Sequence, residues 1–286
     1  MPLNSAALLK ILSHRPGGLD DESAWERLRN TYTYRRDQKH QVTPEVLPDC
    51  EFHVARWQFG KPGAGAHIGL FIRPAAEARY PCALLLHALS RDKDEMILHF
   101  GRALAAKGVA ALALDAHLHG ERRSGGAQTL SPLDYLNGAR DTIIEYRQAI
   151  DYLGSRSDID ASRIGLLGYS LGAMMGCILA GVDQRVRACV FLVGGDIVVT
   201  HREHVPALVR PMLDPVSPSL FVSHISPRPV LFINGKWDNK VTRASAELLH
   251  HAAREPKEIL WADCGHILPE DVARQGVDWL VTRLTQ

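Results

Sequence analysis

Three side chains of this sequence have the types and spacing to move an acyl group. Ser170 stands at the centre of Gly168-Tyr169-Ser170-Leu171-Gly172, Asp238 follows the apolar run Val230–Asn234, and His266 follows the run Glu258–Ala262. A serine hydroxyl is a poor nucleophile at its ordinary pKa, so it needs a base to take its proton and donors to hold the developing oxyanion. His266 is the expected base, and Asp238 is the expected acid that orients it. Serine, acid and histidine, each after a successive strand-like run, is the chain order that gathers the three at one edge of a parallel sheet.

The oxyanion donors must come from the backbone. The N–H of Leu171 opens a helix, where it lacks an intrahelical acceptor and lies at the positive end of the dipole. A second donor is expected from the loop His87-Ala88-Leu89-Ser90 that ends the apolar run Ala83–Leu86; Leu89 is assigned, with Ala88 as the alternative. Asp196, after Val190–Gly195, is the second candidate for the acid. His117-Leu118-His119 is read as a structural loop, because no cysteine or carboxylate cluster joins it at metal-site spacing. Gly63-Ala64-Gly65 is a hairpin turn and not a phosphate loop, since no Lys-Ser/Thr pair follows it into a helix. Cys264, lacking a glycine elbow, is a packing residue.

The elements that must position these residues show a change of rhythm along the chain. Residues 1–48 read as a helical N-terminal extension, with Leu8, Leu9, Ile11 and Leu12 on one stretch and Trp25, Leu28 and Tyr32 on another, separated by Pro16-Gly17-Gly18. Two β-like segments, 51–59 and 67–73, form an expected antiparallel hairpin. From residue 82, short apolar runs alternate with longer amphipathic ones: strands over 82–87, 109–115, 163–169, 186–193, 229–234 and 258–262, and helices over 92–107, 139–154, from 170, over 244–254 and over 271–284. That alternation predicts a mostly parallel, doubly wound sheet within one domain spanning 49–286. Residues 196–228, rich in proline and histidine, interrupt it and are expected to roof the pocket.

Composition narrows the function classes. The 286 residues carry 33 Lys plus Arg against 32 Asp plus Glu, so neither a nucleic-acid partner nor another polyanionic one is expected. The five cysteines are odd in number, and at least three fall in apolar runs, which suits a reducing compartment. The first residues lack the pattern of a signal peptide and no run approaches transmembrane length, so the expected setting is the cytoplasm, with no membrane partner.

Taken together, His87-Ala88-Leu89, Asp115 to Glu121, Gly168 to Gly172, Pro229 to Asp238 and Cys264-Gly265-His266 resemble the α/β-hydrolase superfamily over roughly residues 50–286, and within it bacterial dienelactone-hydrolase-like and prolyl-oligopeptidase-like serine esterases. The resemblance implies an α/β-hydrolase fold and hydrolysis of a small-molecule carboxylic ester through an acyl-enzyme, with no metal or organic cofactor. Two positions depart from it. Dienelactone hydrolases proper carry a cysteine where Ser170 stands, and the common His-Gly pair of the oxyanion loop is His87-Ala88. Peptide or thioester hydrolysis by the same three residues is the alternative reaction. A noncatalytic binding protein that keeps the fold is the alternative of another class, which the intact set Ser170, Asp238 and His266 disfavours.

Overall fold

The computed structural model describes residues 22–35, 41–60, 66–123, 132–196 and 210–286. The expected first helical stretch before residue 22, the glycine-rich turn at 61–65 and the roof residues 197–209 lie outside them. The chain runs α1 (Glu22–Asn30), β1 (Val42–Leu47), β2 (Phe52–Phe59), β3 (His67–Pro74) and β4 (Tyr80–Leu86). It continues through α2 (Lys93–Met96), a π-helical turn (Ile97–Gly101), α3 (Arg102–Ala105), β5 (Ala110–Leu114), α4 (Pro132–Gly154), β6 (Ile159–Tyr169) and α5 (Leu171–Val182). After β7 (Val186–Leu192) come three 3-10 turns between residues 210 and 224, then β8 (Val230–Gly235), α6 (Arg243–Ala252), β9 (Lys257–Ala262) and α7 (Glu270–Thr285).

The strands form one sheet in the order β1-β2-β3-β5-β4-β6-β7-β8-β9. Pairings from β1 to β3 and from β3 to β5 are antiparallel, and those from β5 to β9 are parallel. The parallel strands are apolar on both faces because helices cover both. Strand periodicity divides them cleanly: Cys82, Leu84, Leu86, Leu112 and Leu114 enter the core under α4 and α5, whereas Ala83, Leu85, Ala111 and Ala113 enter the core under α2, α3 and α7.

The sheet begins earlier than the sequence pattern places it. Val42–Leu47 pairs with β2, seven residues before the expected boundary at 49, so the segment before 49 is not wholly helical. Its burial pattern contains no buried residue and it includes Pro44, so an edge strand of this kind leaves no alternation to read. Helix α4 likewise starts at Pro132 and not at 139, proline being suited to the first helical turn.

The chain just after α1 is tied firmly to the body of the domain. Tyr32 is fully buried and its hydroxyl donates to Pro215 O, while Arg147 donates to Tyr32 O. The Trp25 ring stacks on His224 with centroids 3.5 Å apart and meets Phe221 edge-on at 5.8 Å. Among the described residues, no helix is long and apolar enough to cross a membrane.

Beyond the end of β5, a buried carboxylate organises the loop. Asp115, fully buried, accepts from the Lys93 N–H at 3.0 Å, from Lys93 Nζ at 3.0 Å and from the Glu121 N–H at 3.0 Å. Gly120, at φ +53°, lies so close that a Cβ there would stand 2.2 Å from the Asp115 carboxylate. Burial opposes the charge on Lys93, yet bonds to Glu121, Asp94 and Asp115 outweigh it and raise its pKa. Removing the ammonium strands Asp115 in a dry site. Lys93→Ala is therefore expected to cost about 3–5 kcal/mol of stability, measured by urea denaturation, whereas a loss below about 1 kcal/mol would contradict this account.

Candidate active site

Ser170 occupies the turn between β6 and α5 at φ 54° and ψ −113°, a strained conformation for a residue with a side chain. Close backbone contact on both sides holds it there. A Cβ on Gly172 would fall 2.0 Å from Leu86 O, and one on Gly168 would fall 2.3 Å from Gly172 O. The Ser170 N–H donates to Leu192 O at 2.8 Å, and Ser170 O accepts from the N–H groups of Ala173 and Met174, so the backbone is anchored to β7 and α5 together. The hydroxyl is consequently turned out of the sheet at its C-terminal edge.

The structure brings Ser170, His266 and Asp238 into one hydrogen-bonded line. Ser170 Oγ is 2.9 Å from His266 Nε2, and His266 Nδ1 is 2.7 Å from Asp238 Oδ2. The other carboxylate oxygen, Asp238 Oδ1, accepts from the N–H groups of Lys240 (2.8 Å) and Val241 (2.9 Å), which fixes its orientation. The Asp238 side chain is fully buried, whereas that of His266 keeps 16% of its surface exposed. With Nδ1–H committed to a carboxylate, the Nε2 lone pair is the one that faces the serine proton. The loops bearing the two residues continue the β8–β9 pairing: Lys236 N–H donates to Ala262 O and Trp237 N–H to Cys264 O, both at 2.9 Å.

Asp196 lies elsewhere in this network. It is completely buried, and its Oδ2 accepts from Ser217 Oγ (2.7 Å), Ser219 Oγ (2.6 Å) and the Ser219 N–H (3.1 Å). Its bonds tie the end of β7 to Ser217 and Ser219, within the expected roof segment. The Cys264 thiol is raised in pKa by partial burial and by the charges of Asp238 and Asp263, which disfavours a thiolate.

Leu89 and Ala88 sit immediately beyond β4, beside the start of α5. Among the described residues, the N–H groups of Ala88, Leu89 and Leu171 donate to no protein acceptor. Ala88 O accepts from the Arg91 N–H at 3.1 Å and from His87 Nδ1 at 2.8 Å, and Ser90 takes φ +62°.

Two bracing residues carry no signature in the sequence. His87 braces the loop 87–90: with Nδ1 donating to Ala88 O, its Nε2 accepts from the Ala116 N–H at 2.9 Å, joining the ends of β4 and β5. Tyr169, beside the serine, donates its hydroxyl to His266 O (3.1 Å) and accepts from the Leu268 N–H (3.0 Å), clamping the histidine loop. The only hint was chemical: a polar aromatic at the end of an apolar strand needs a partner. His117 and His119 face loop partners, Arg122 and His117 O respectively. Among the described residues, no group of three or more His, Cys, Asp or Glu is placed to hold a metal.

The sheet order, the helices on both faces and the strained turn between β6 and α5 are those of the α/β-hydrolase fold. The acetyl xylan esterase from Paenibacillus sp. R4 superimposes with a TM-score of 0.76 at 17% identity, covering 99% of this chain and 100% of that one. Acetyl xylan esterase 1 from Thermoanaerobacterium sp. JW/SL YS485 does so with a TM-score of 0.74 at 16% identity, covering 98% and 99%. The family "BAAT / Acyl-CoA thioester hydrolase C terminal" matches residues 143–224. In sequence, the chain is 29% identical over 195 residues to the putative hydrolase YtaP of Bacillus subtilis (strain 168), covering 59% of this chain and 64% of that protein. It is 30% identical over 137 residues to the uncharacterized protein YfhR of Salmonella typhimurium, covering 42% of this chain and 46% of that protein.

Burial lowers the pKa of His87, and the nearby His119 adds to the effect against the opposing bond to Ala88 O. Its folded pKa lies below the ordinary 6.5, so the neutral ring contributes stability that is complete above that value and lost as pH falls through the folded pKa. His87→Gln is expected to flatten the decline of unfolding free energy from pH 7 to pH 5, measured by urea titration at each pH. An unchanged slope would refute the assignment.

Proposed function

We propose that the protein is a serine hydrolase that cleaves carboxylic esters through an acyl-enzyme. The observation that carries this reading is the continuous line from Ser170 Oγ through His266 to the buried Asp238, mounted on the strained turn. In the first half-reaction His266 Nε2 accepts the Ser170 proton as Oγ attacks the ester carbonyl, and Asp238 stabilises the imidazolium. The N–H groups of Leu171 and Leu89 hold the oxyanion, with Ala88 as the alternative to Leu89. The imidazolium then protonates the leaving alcohol. Water, deprotonated by His266, attacks the acyl-enzyme and releases the acid and Ser170. This cycle requires no cofactor.

The substrate is read as a small-molecule ester with an apolar portion. Leu89, Trp237 and Ile267 are 58%, 73% and 78% exposed, and each adjoins in sequence a residue of the site or its oxyanion loop. Residues 196–228 are assigned as the pocket roof, and α1 (Glu22–Asn30) as part of an N-terminal extension that contacts it through Trp25, Phe221 and His224. A cytoplasmic, reducing setting is inferred from cysteines that are all free, three of them buried. The match to the acyl-CoA thioester hydrolase family supports a second reading on the same residues, thioester cleavage; it spans Ser170 but neither Asp238 nor His266.

A fluorophosphonate probe is expected to label the protein and not Ser170→Ala, and short-chain p-nitrophenyl esters should be cleaved with a loss of at least 1000-fold in that variant, on the order seen for triad serines. No labelling and no turnover by the wild type would sink the enzymatic reading, and a higher kcat/KM on acyl thioesters than on matched oxoesters would favour the second reaction. Asp238→Asn should depress kcat far more than Asp196→Asn, and the opposite ranking would reassign the acid. Tyr169→Phe removes two bonds worth about 1 kcal/mol each, so kcat should fall by up to roughly thirtyfold with little change in KM.

A further inference from the structure

A cavity of about 700 Å³ opens at the far end of α5 from Ser170, between α1 and the body of the domain. Helix α5 has 12 residues, which separates its two ends by about 18 Å. The lining holds four arginines, Arg29, Arg147, Arg185 and Arg254, against a single carboxylate, Asp183. The inner pair is rigidly placed: Arg147 Nε donates to Asp183 Oδ2 at 3.1 Å, and Arg185 donates to both Asp183 oxygens at 2.8 and 2.7 Å. Arg185 also donates to Asp151, so two carboxylates balance the two inner guanidiniums, while Arg29 engages no acceptor among the described residues.

Two further features mark the cavity as a place for a ligand. Ser223, a lining residue only 3% exposed, has a buried Oγ with no hydrogen-bond partner, and a buried hydroxyl of that kind ordinarily has one. The carbonyl end of α5, which would repel an anion, is already covered. Arg228 donates to Ala180 O at 2.8 Å, to Asp183 O at 3.0 Å and to Val186 O at 2.8 Å. A wall is supplied by the Trp25 and His224 rings, stacked 3.5 Å apart.

We propose that this cavity binds a small phosphorylated metabolite of nucleotide or sugar-phosphate size, remote from the serine site. A phosphate dianion matches an arginine-rich lining and the fork geometry of guanidinium groups. The volume exceeds what a bare ion fills and lies in the range of small-molecule sites. Asn30, Thr33 and Gln184 add neutral hydrogen-bonding groups suited to ligand hydroxyls. Ser223 Oγ gains its missing partner when the ligand is bound.

The test is thermal denaturation and calorimetry of the full chain with ADP, glucose 6-phosphate and inorganic pyrophosphate at matched ionic strength, with adenosine, glucose and citrate as controls. At least one phosphorylated probe should raise Tm saturably while adenosine and glucose do not; ADP against glucose 6-phosphate separates the nucleotide from the sugar source. Arg29→Glu should weaken that binding at least tenfold. Ser223→Ala should weaken it severalfold while leaving the unliganded Tm unchanged or higher, and it serves if Arg29→Glu does not fold. Absence of any saturable shift, an equal response to citrate, or retention of full affinity in Ser223→Ala together with Arg29→Glu would overturn the proposal. Ester turnover is not the readout, so failure here leaves the serine-hydrolase reading standing and the reverse also holds.

Discussion

Between the end of β4 and the first turn of α5, two backbones meet with no side chain between them. The space a Cβ on Gly172 would need is already filled by Leu86 O at 2.0 Å, and that contact forces the chain through the strained conformation at Ser170. Such a conformation costs about 1–3 kcal/mol, and it persists because its surroundings over-determine it. The Ser170 N–H is held by β7, its carbonyl starts α5, and Gly168 lets the two meet. The outward-turned hydroxyl, the open N–H of Leu171 and the nearness of the His87–Leu89 loop are all consequences of that one approach.

Around this turn the loops are braced by polar groups buried on both sides of the sheet. Tyr146 donates to Leu85 O at 2.6 Å and accepts from the Leu114 N–H at 3.0 Å, fastening β4 to β5 just before the loop that begins at His87. His87 repeats that fastening one step further out, and Asp115 with Lys93 ties the end of β5 to α2. Arg122 joins the same loop to α4 through both oxygens of Glu145 and through Asp115 O. These bonds hold the loops around the Ser170 turn in one arrangement.

Reading the sequence succeeded where burial imposes a period. Ala83–Leu86, Ala110–Leu114 and Ile164–Leu167 are apolar throughout because both faces of a parallel strand are covered, and those strands fall where their apolar runs do. It failed where burial is absent: Val42–Leu47 is an edge strand with no buried residue, and the first turn of α4 precedes its apolar stripe. His87 and Tyr169 were invisible for another reason. Their partners are backbone groups far along the chain, the N–H of Ala116 and Leu268 and the carbonyl of His266, and a backbone N–H or carbonyl looks alike under every side chain.

The residue types and their order were enough to name Ser170 and His266 as candidates, since the glycines flanking the serine and the strand before each residue are local properties of the chain. The choice between Asp238 and Asp196 as partner of His266 was decided only in three dimensions. Both carboxylates follow adjacent parallel strands, both are buried, and local sequence describes them almost equally well. What separates them is where their oxygens point: Asp196 Oδ2 turns toward Ser217 and Ser219, and Asp238 Oδ2 reaches His266 Nδ1 at 2.7 Å. A hydrogen bond depends on angstrom-scale distance and direction, and strand order carries neither until the sheet has twisted and its loops have closed.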